Sequence, residues 1–211
     1  LAEVWRLRGT ISQMEGDLIA ARRDLGRAVG EFRELDDDAH LAEALRARGF
    51  AEVFGGSLVD AEWFLGEADA IFERLGNVRG RAWVLQNRAW VSFLNGDHAV
   101  SRQLLASAIE SFEQLGDRSG VSWARGLLAY IHHFGRRNRE ALELADAVYD
   151  EARRWGDEWG ASMMLNLQAS IRLWSGEIDA ARGLSERSLS GFRRIDDRFG
   201  VVQAMSTLNR A

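Results

Sequence analysis

The chain has no cysteine, no proline and no lysine. Without thiols it can build neither a disulfide framework nor a thiolate metal site. Without lysine, arginine carries all of the fixed positive charge, which points to a GC-rich genome more than to a mechanism. Positive charge is also in the minority. The 27 basic residues face 32 acidic ones, for a net charge of −5. A general nucleic-acid or anionic-membrane binder needs a basic surface, so direct nucleic-acid contact is not expected. Long apolar runs are missing too. None approaches the roughly 18 residues of a membrane span, and the longest are broken by Arg or His, as in the stretch from Gly126 to His133. The first residues, Leu1 to Arg6, are already charged and do not resemble a secretion signal. A soluble, cytoplasmic protein without membrane contact is expected. There is no glycine-rich phosphate loop, no Gly-x-Ser-x-Gly elbow and no His-Glu-x-x-His, and no residue set makes a credible catalytic constellation. Neither enzymatic activity nor a cofactor is expected.

What the chain does have is a period. Its 211 residues align on themselves every 40 without a gap. Phe32, Phe72, Phe112 and Phe192 share one column, with Ala152 in the remaining place. Gly80, Gly120, Gly160 and Gly200 share another, with His40 as the exception. A turn column reads Gly16, Gly56, Gly96 and Gly176, and five residues later stand Ala21, Ala61, Ser101, Ala141 and Ala181. Self-similarity at one fixed period is the signature of a repeat array.

Each unit reads as two antiparallel helices. In the third, Asn77 follows Gly76 as an N-cap, helix A runs from about Val78 to Leu94, and Asn95-Gly96-Asp97 turns into helix B. Helix B carries Val100, Leu104, Leu105, Ala108, Ile109, Phe112 and Leu115 at helical spacing. Glycine at the third position of helix A leaves two explanations open. Either a neighbouring helix comes too close for a side chain, or glycine merely costs little in a first turn.

Several columns resemble the tetratricopeptide repeat (TPR). The small residue inside helix A falls on Gly9, Gly49, Ala89, Ala129 and Ala169. The turn falls on Gly96-Asp97, the alanine early in helix B on Ala21, Ala61, Ala141 and Ala181, and the large apolar residue on Leu25, Leu65 and Leu105. The resemblance covers essentially the whole chain and implies an all-α, α-α superhelix of about five helical hairpins plus one extra helix. The expected repeats are 1–36, 37–76, 77–116, 117–156 and 157–196, with a partial unit at 197–211, in a single solenoid. Three features depart from the family: the longer repeat, the missing proline after helix B, and an early aromatic found only at Trp5. The phrases Phe72-Glu73-Arg74-Leu75-Gly76-Asn77 and Phe112-Glu113-Gln114-Leu115-Gly116-Asp117 resemble the repeats of bacterial signal-transduction ATPase regulators, of the maltose-activator-like and antibiotic-regulator-like kinds. The array opens and closes inside an A helix, so a fragment of a longer protein is expected.

In the TPR family the A helices line the concave face. Carried over by column, that face holds Phe50 and Phe54 in the second repeat. The third contributes Trp83, Gln86, Asn87, Trp90 and Phe93. The fourth contributes Trp123, Tyr130, His133 and Phe134, and the fifth Asn166 and Trp174. Aromatic side chains dominate interface energetics, and amides can pair with an extended peptide backbone. The resemblance therefore implies a protein or peptide partner in an aromatic groove, within a sensor or scaffold module of a larger regulator. A free-standing adaptor or quorum-peptide receptor is the alternative, and self-association through the same face is a third use. The inward aromatics can equally pack on one another as core. Glu43 and Arg46, three apart on one helix, read as a local ion pair. His132-His133 cannot form a facing metal pair, because adjacent residues on a helix diverge by about 100°. Arg136-Arg137-Asn138-Arg139 stands where other repeats have a glycine turn, and reads as either a solvated turn or a phosphate contact.

Overall fold

The computed structural model describes residues 1–55 and 57–211; Gly56 of the turn column lies outside them. Among the described residues there are eleven helices and no strand. Five hairpins follow one another: α1 (Ala2–Met14) with α2 (Leu18–Glu34), α3 (Asp38–Gly55) with α4 (Leu58–Arg74), α5 (Val78–Leu94) with α6 (His98–Gln114), α7 (Arg118–Phe134) with α8 (Asn138–Trp155), and α9 (Glu158–Trp174) with α10 (Ile178–Arg194). Helix α11 (Arg198–Leu208) follows alone. Seven of these helices span 17 residues, which is where a 40-residue unit places its extra length over the usual ~34. Two compact units are present, Leu1–Val121 and Ser122–Ala211.

The expected caps form. Asn77 Oδ1 accepts from the Gly80 N–H at 2.8 Å, Asp97 Oδ1 from Val100 at 3.1 Å, and Asp157 and Asp197 do the same for Gly160 and Gly200. Each cap satisfies one of the orphan donors of a helix start. Within hairpins the small column lets the helices approach. A Cβ added at Gly9 would lie 2.7 Å from Leu25 Cγ, and one at Gly49 would lie 2.8 Å from Leu65 Cγ. Leu25, Leu65 and Leu105 are fully buried as a result. Close approach of a core ring explains three of the four glycines in the other column, while at Gly160 an added Cβ would meet only its own cap, Asp157. A Cβ at Gly80 would sit 2.5 Å from Cδ1 of the buried Phe72 ring, and Phe112 and Phe192 press on Gly120 and Gly200 in the same way. The exception fits: where His40 replaces glycine, its ring stacks on Phe32 at 5.3 Å.

Three turns place a residue other than glycine in the left-handed region: Asp36 and Asp196, each at φ +53°, and Arg136. Gly16, Gly96 and Gly176 close their A helices with φ between +76° and +82°. In the fourth repeat Arg136 takes that left-handed conformation, with φ +59°. An arginine there costs on the order of 1 kcal/mol over glycine. The next residue, Arg137, is the N-cap of α8 and makes no side-chain capping bond; neither do Ser57 and Glu177 at α4 and α10, whereas Asp17 and Asp97 cap α2 and α6. That loses a further ~1 kcal/mol, and a cation stands at the positive end of the helix dipole.

The first unit also buries carboxylates. Asp24 on α2 is inaccessible and accepts from the Arg8 side chain of α1 and from Arg23 Nε at 2.8 Å. Hydrogen bonds from Arg8, and then from Arg23, hold its carboxyl well below the usual carboxylate range. A lowered folded-state pKa gives stabilisation that is complete above the unfolded value of about 3.9 and is lost as pH falls through the folded one. Wild type should therefore exceed Asp24→Asn in urea stability at pH 7, and the gap should narrow steadily below about pH 4. A gap that is the same at pH 7 and pH 3 would exclude the ionised carboxylate as its source.

Candidate functional site

In the first unit the α3 and α5 aromatics form one chain of rings. Phe50 meets Phe54 edge to face at 5.1 Å, Phe54 meets Trp90 at 5.9 Å, and Trp90 meets Phe93 at 5.9 Å. Phe93 then stacks on His98 of α6 at 5.4 Å. Trp83 departs from this cluster. It packs on the core ring of Phe112 at 5.0 Å, and the Arg46 guanidinium lies 5.8 Å from its centre. Arg46 also pairs with Glu43 at 3.2 Å, the local ion pair its spacing implies.

Gln86 and Asn87 lie between the two indoles on the same face of α5, at spacings of three and four residues. Both are buried, as is Trp90. The Gln86 amide oxygen and nitrogen, Asn87 Nδ2 and Trp90 Nε1 have no hydrogen-bond partner among the described residues. A buried polar group left unpaired costs about 1–3 kcal/mol, and native structures hold few such groups. Four such atoms within five residues of one helix make this the most under-satisfied place in the first unit. Together they offer three donor groups and one acceptor.

In the second unit Trp123 stacks face to face on Trp159, with centroids 4.5 Å apart and planes 8° from parallel. Tyr130 Oη donates to the Met163 carbonyl at 3.0 Å. Burial pushes the Tyr130 hydroxyl above its usual range, while Asn166 beside it opposes the shift, so the phenol stays neutral. Asn166 is buried and its Oδ1 has no partner among the described residues. His133 Nδ1 lies 3.0 Å from Asn138 Oδ1 across the turn. Phe134 and Trp174, at the ends of α7 and α9, are 60% and 70% exposed and do not join the Tyr130–Asn166 group.

Sequence reasoning missed His98 and Trp159. His98 had a usable signal: it follows the A-to-B turn five residues after Phe93, as Asn138 follows His133. Trp159 had none, since its column holds Ala39, Arg79 and Ser119 in earlier repeats.

No family model and no curated protein matches the sequence. Solved structures do. The nearly identical TPR-like repeats of a Podosopora anserina protein described as a kinesin light chain align with a TM-score of 0.58 at 14% identity, over 91% of this chain and 95% of that one. A variant of the same protein gives 0.58 at 15%, over 91% and 94%. BtubC (BKLC) from P. vanneervenii gives 0.60 at 18%, over 87% of this chain and 75% of that one. The fold is that of TPR-like repeats. No described helix is long and apolar enough to cross a membrane.

Proposed function

We propose that the chain is a protein- or peptide-binding scaffold and sensor module of a larger bacterial regulatory protein, with the aromatic and amide face of α5 as its main contact. The observation that carries this is the cluster of unpartnered polar atoms on Gln86, Asn87 and Trp90 beside the Phe50–Phe54–Trp90–Phe93 rings. An extended backbone would supply matching carbonyls and amides once the half-buried rings of Phe50, Phe54 and Phe93 part, because Gln86 and Asn87 are inaccessible behind them. The rings supply apolar area around them, where hydrogen bonds are strong because water is excluded. In the second unit, Tyr130 and Asn166 offer the same chemistry on a smaller scale.

The larger-protein part of the proposal draws on the surface of α1. Val4, Leu7 and Ile11 are 57%, 49% and 53% exposed. Their counterparts one repeat on, Ala44, Ala47 and Ala51, are buried, and the last two pack with Leu25 of the preceding hairpin. The α1 stripe thus has the character of a seam that another hairpin covers.

A random peptide library displayed on phage tests the contact face. Selection on the wild-type chain should enrich peptides whose binding falls at least tenfold in Gln86→Leu and in Trp90→Ala, about 1.4 kcal/mol or more. Gln86→Leu should melt at or above the wild-type temperature, because it removes an unpaired buried amide. Peptides retained equally by both variants, or a Gln86→Leu chain that no longer folds, would make the face an internal core.

A further inference from the structure

Asp197 caps α11 from a buried position, 3% exposed, where its Oδ1 accepts from the Gly200 N–H at 3.0 Å. Its other oxygen, Oδ2, is buried and has no hydrogen-bond partner among the described residues. An earlier repeat treats the same position differently. There Asp117 caps α7 through Oδ1, and Arg79 Nε donates to its Oδ2 at 2.8 Å. Two repeats on, the columns of Arg79 and Asp117 hold Trp159 and Asp197. An indole thus stands where a guanidinium neutralises the earlier carboxylate. A carboxylate buried without a cation is costly as an ion.

The charged groups around the seam are occupied with one another or with solvent. On α9, Glu158 pairs with Arg194 of α10 and lies 3.7 Å from Arg153 of α8. Arg193 of α10 is exposed, as are Asp196 and Arg198 on either side of the cap. None of them bonds the free oxygen of Asp197. Helices α9, α10 and α11 hold no histidine. Burial pushes the Asp197 carboxyl above the usual carboxylate range, although the Gly200 N–H, the Trp159 indole and the Phe199 N–H favour the ion. Packing beside it is also reduced. Ser185 takes the column of the fully buried Leu25, Leu65 and Leu105, and its Oγ and that of Ser162 are buried without partners. Apolar burial that offsets a buried charge elsewhere is smaller here.

We propose that Asp197 is an acid-tightened latch: its protonation removes an unneutralised charge from the α9–α11 seam, so that α11 docks more firmly on α9 and α10 as pH falls. A carboxyl that folding favours in its neutral form stabilises fully below the unfolded value of about 3.9, and that stabilisation is lost as pH rises through the folded value. Asp24 of the first unit works in the opposite sense, because its two arginines favour the ion. Acid therefore loosens the first unit at α1 and α2 and tightens the second at α11.

Amide hydrogen exchange of the whole chain, corrected for intrinsic rates, reads each unit separately. Between pH 7 and about pH 4, protection of the α11 amides should rise about threefold in the wild type. Asparagine caps a helix as well as aspartate does, so Asp197→Asn keeps the cap and removes the charge. In that variant α11 protection should no longer change with pH, and at pH 7 it should match or exceed that of the wild type. Asp24→Asn should leave the α11 trend intact. Carbon-13 NMR of the Asp197 carboxyl follows the same proton in the unaltered chain, and its midpoint should lie above the ordinary value of about 3.9. A midpoint at or below that value, α11 protection that stays flat or falls with acid, or an equal rise in Asp197→Asn would overturn the proposal. So would an equal gain in α1 and α2, which would mark a response of the whole chain.

Discussion

Replacing Gly80 by alanine is expected to cost about 2–3 kcal/mol, a large loss for adding a single methyl group. The added Cβ would lie 2.5 Å from a carbon of the Phe72 ring, far inside van der Waals contact. The ring cannot retreat easily, because Phe72 is fully buried among the packed helices of its unit. Phe72→Ala alone should cost about 3–5 kcal/mol, as a large core side chain leaves a cavity. The informative measurement is the double variant. Once the ring is gone the added methyl has room, so Gly80→Ala in the Phe72→Ala background should be near neutral or stabilising. The coupling between the two sites should reach about 2 kcal/mol. Urea titrations of the four proteins give that number directly. A coupling below about 0.5 kcal/mol would mean that glycine is tolerated there only because a first helical turn forgives it. The native Phe32–His40 stack shows the other solution to the same contact: two flat rings lie parallel where a ring and a bare backbone meet elsewhere.

This contact also shows what sequence alone could convey. The repeat was legible because its determinants are local and recur: Asn77 and Asp97 cap their helices from fixed offsets, and Gly96 and Gly176 take up positive φ at one turn position. The glycine column was visible too, but its cause lay in Phe72, eight residues earlier and across a turn. The candidate site was legible only in part. Trp83 and Trp90 stand seven residues apart on one face of α5, yet one rests on Phe112 and the other joins Phe54. What separates them is the neighbour supplied by another helix, and neighbours differ from repeat to repeat. Trp159 was missed for the same reason. Column reasoning finds what every repeat shares, whereas binding surfaces arise where one repeat departs from the rest.

Glu52 is such a departure, and its removal is expected to destabilise the first unit by about 3–4 kcal/mol. Its side chain is 2% exposed and is gripped from two helices, by Arg22 of α2 and by Arg48 of α3 at 2.6 Å. Arg22 also reaches the Gly55 carbonyl at 3.2 Å, and Arg48 donates to the Arg22 carbonyl. Glu52→Ala would leave two guanidiniums close together with no anion between them, and breaking a buried pair from one side costs more than the pair contributes. Arg22 remains about one-third exposed and can turn toward water, which holds the loss to the lower part of that range. The triple variant Arg22→Met/Arg48→Met/Glu52→Leu should recover most of the stability, because matched apolar groups often replace a buried ion cluster without loss. If the triple variant is as unstable as Glu52→Ala, packing volume rather than charge is the cause. At the next junction Glu62 stands in the column of Arg22 and pairs directly with Arg88, in the column of Arg48. Successive hairpins that share one backbone pattern are therefore told apart by their ion pairs. Such pairs oppose a hairpin docking one repeat out of place, a registry role for which buried ionic groups are suited even where they add little net stability.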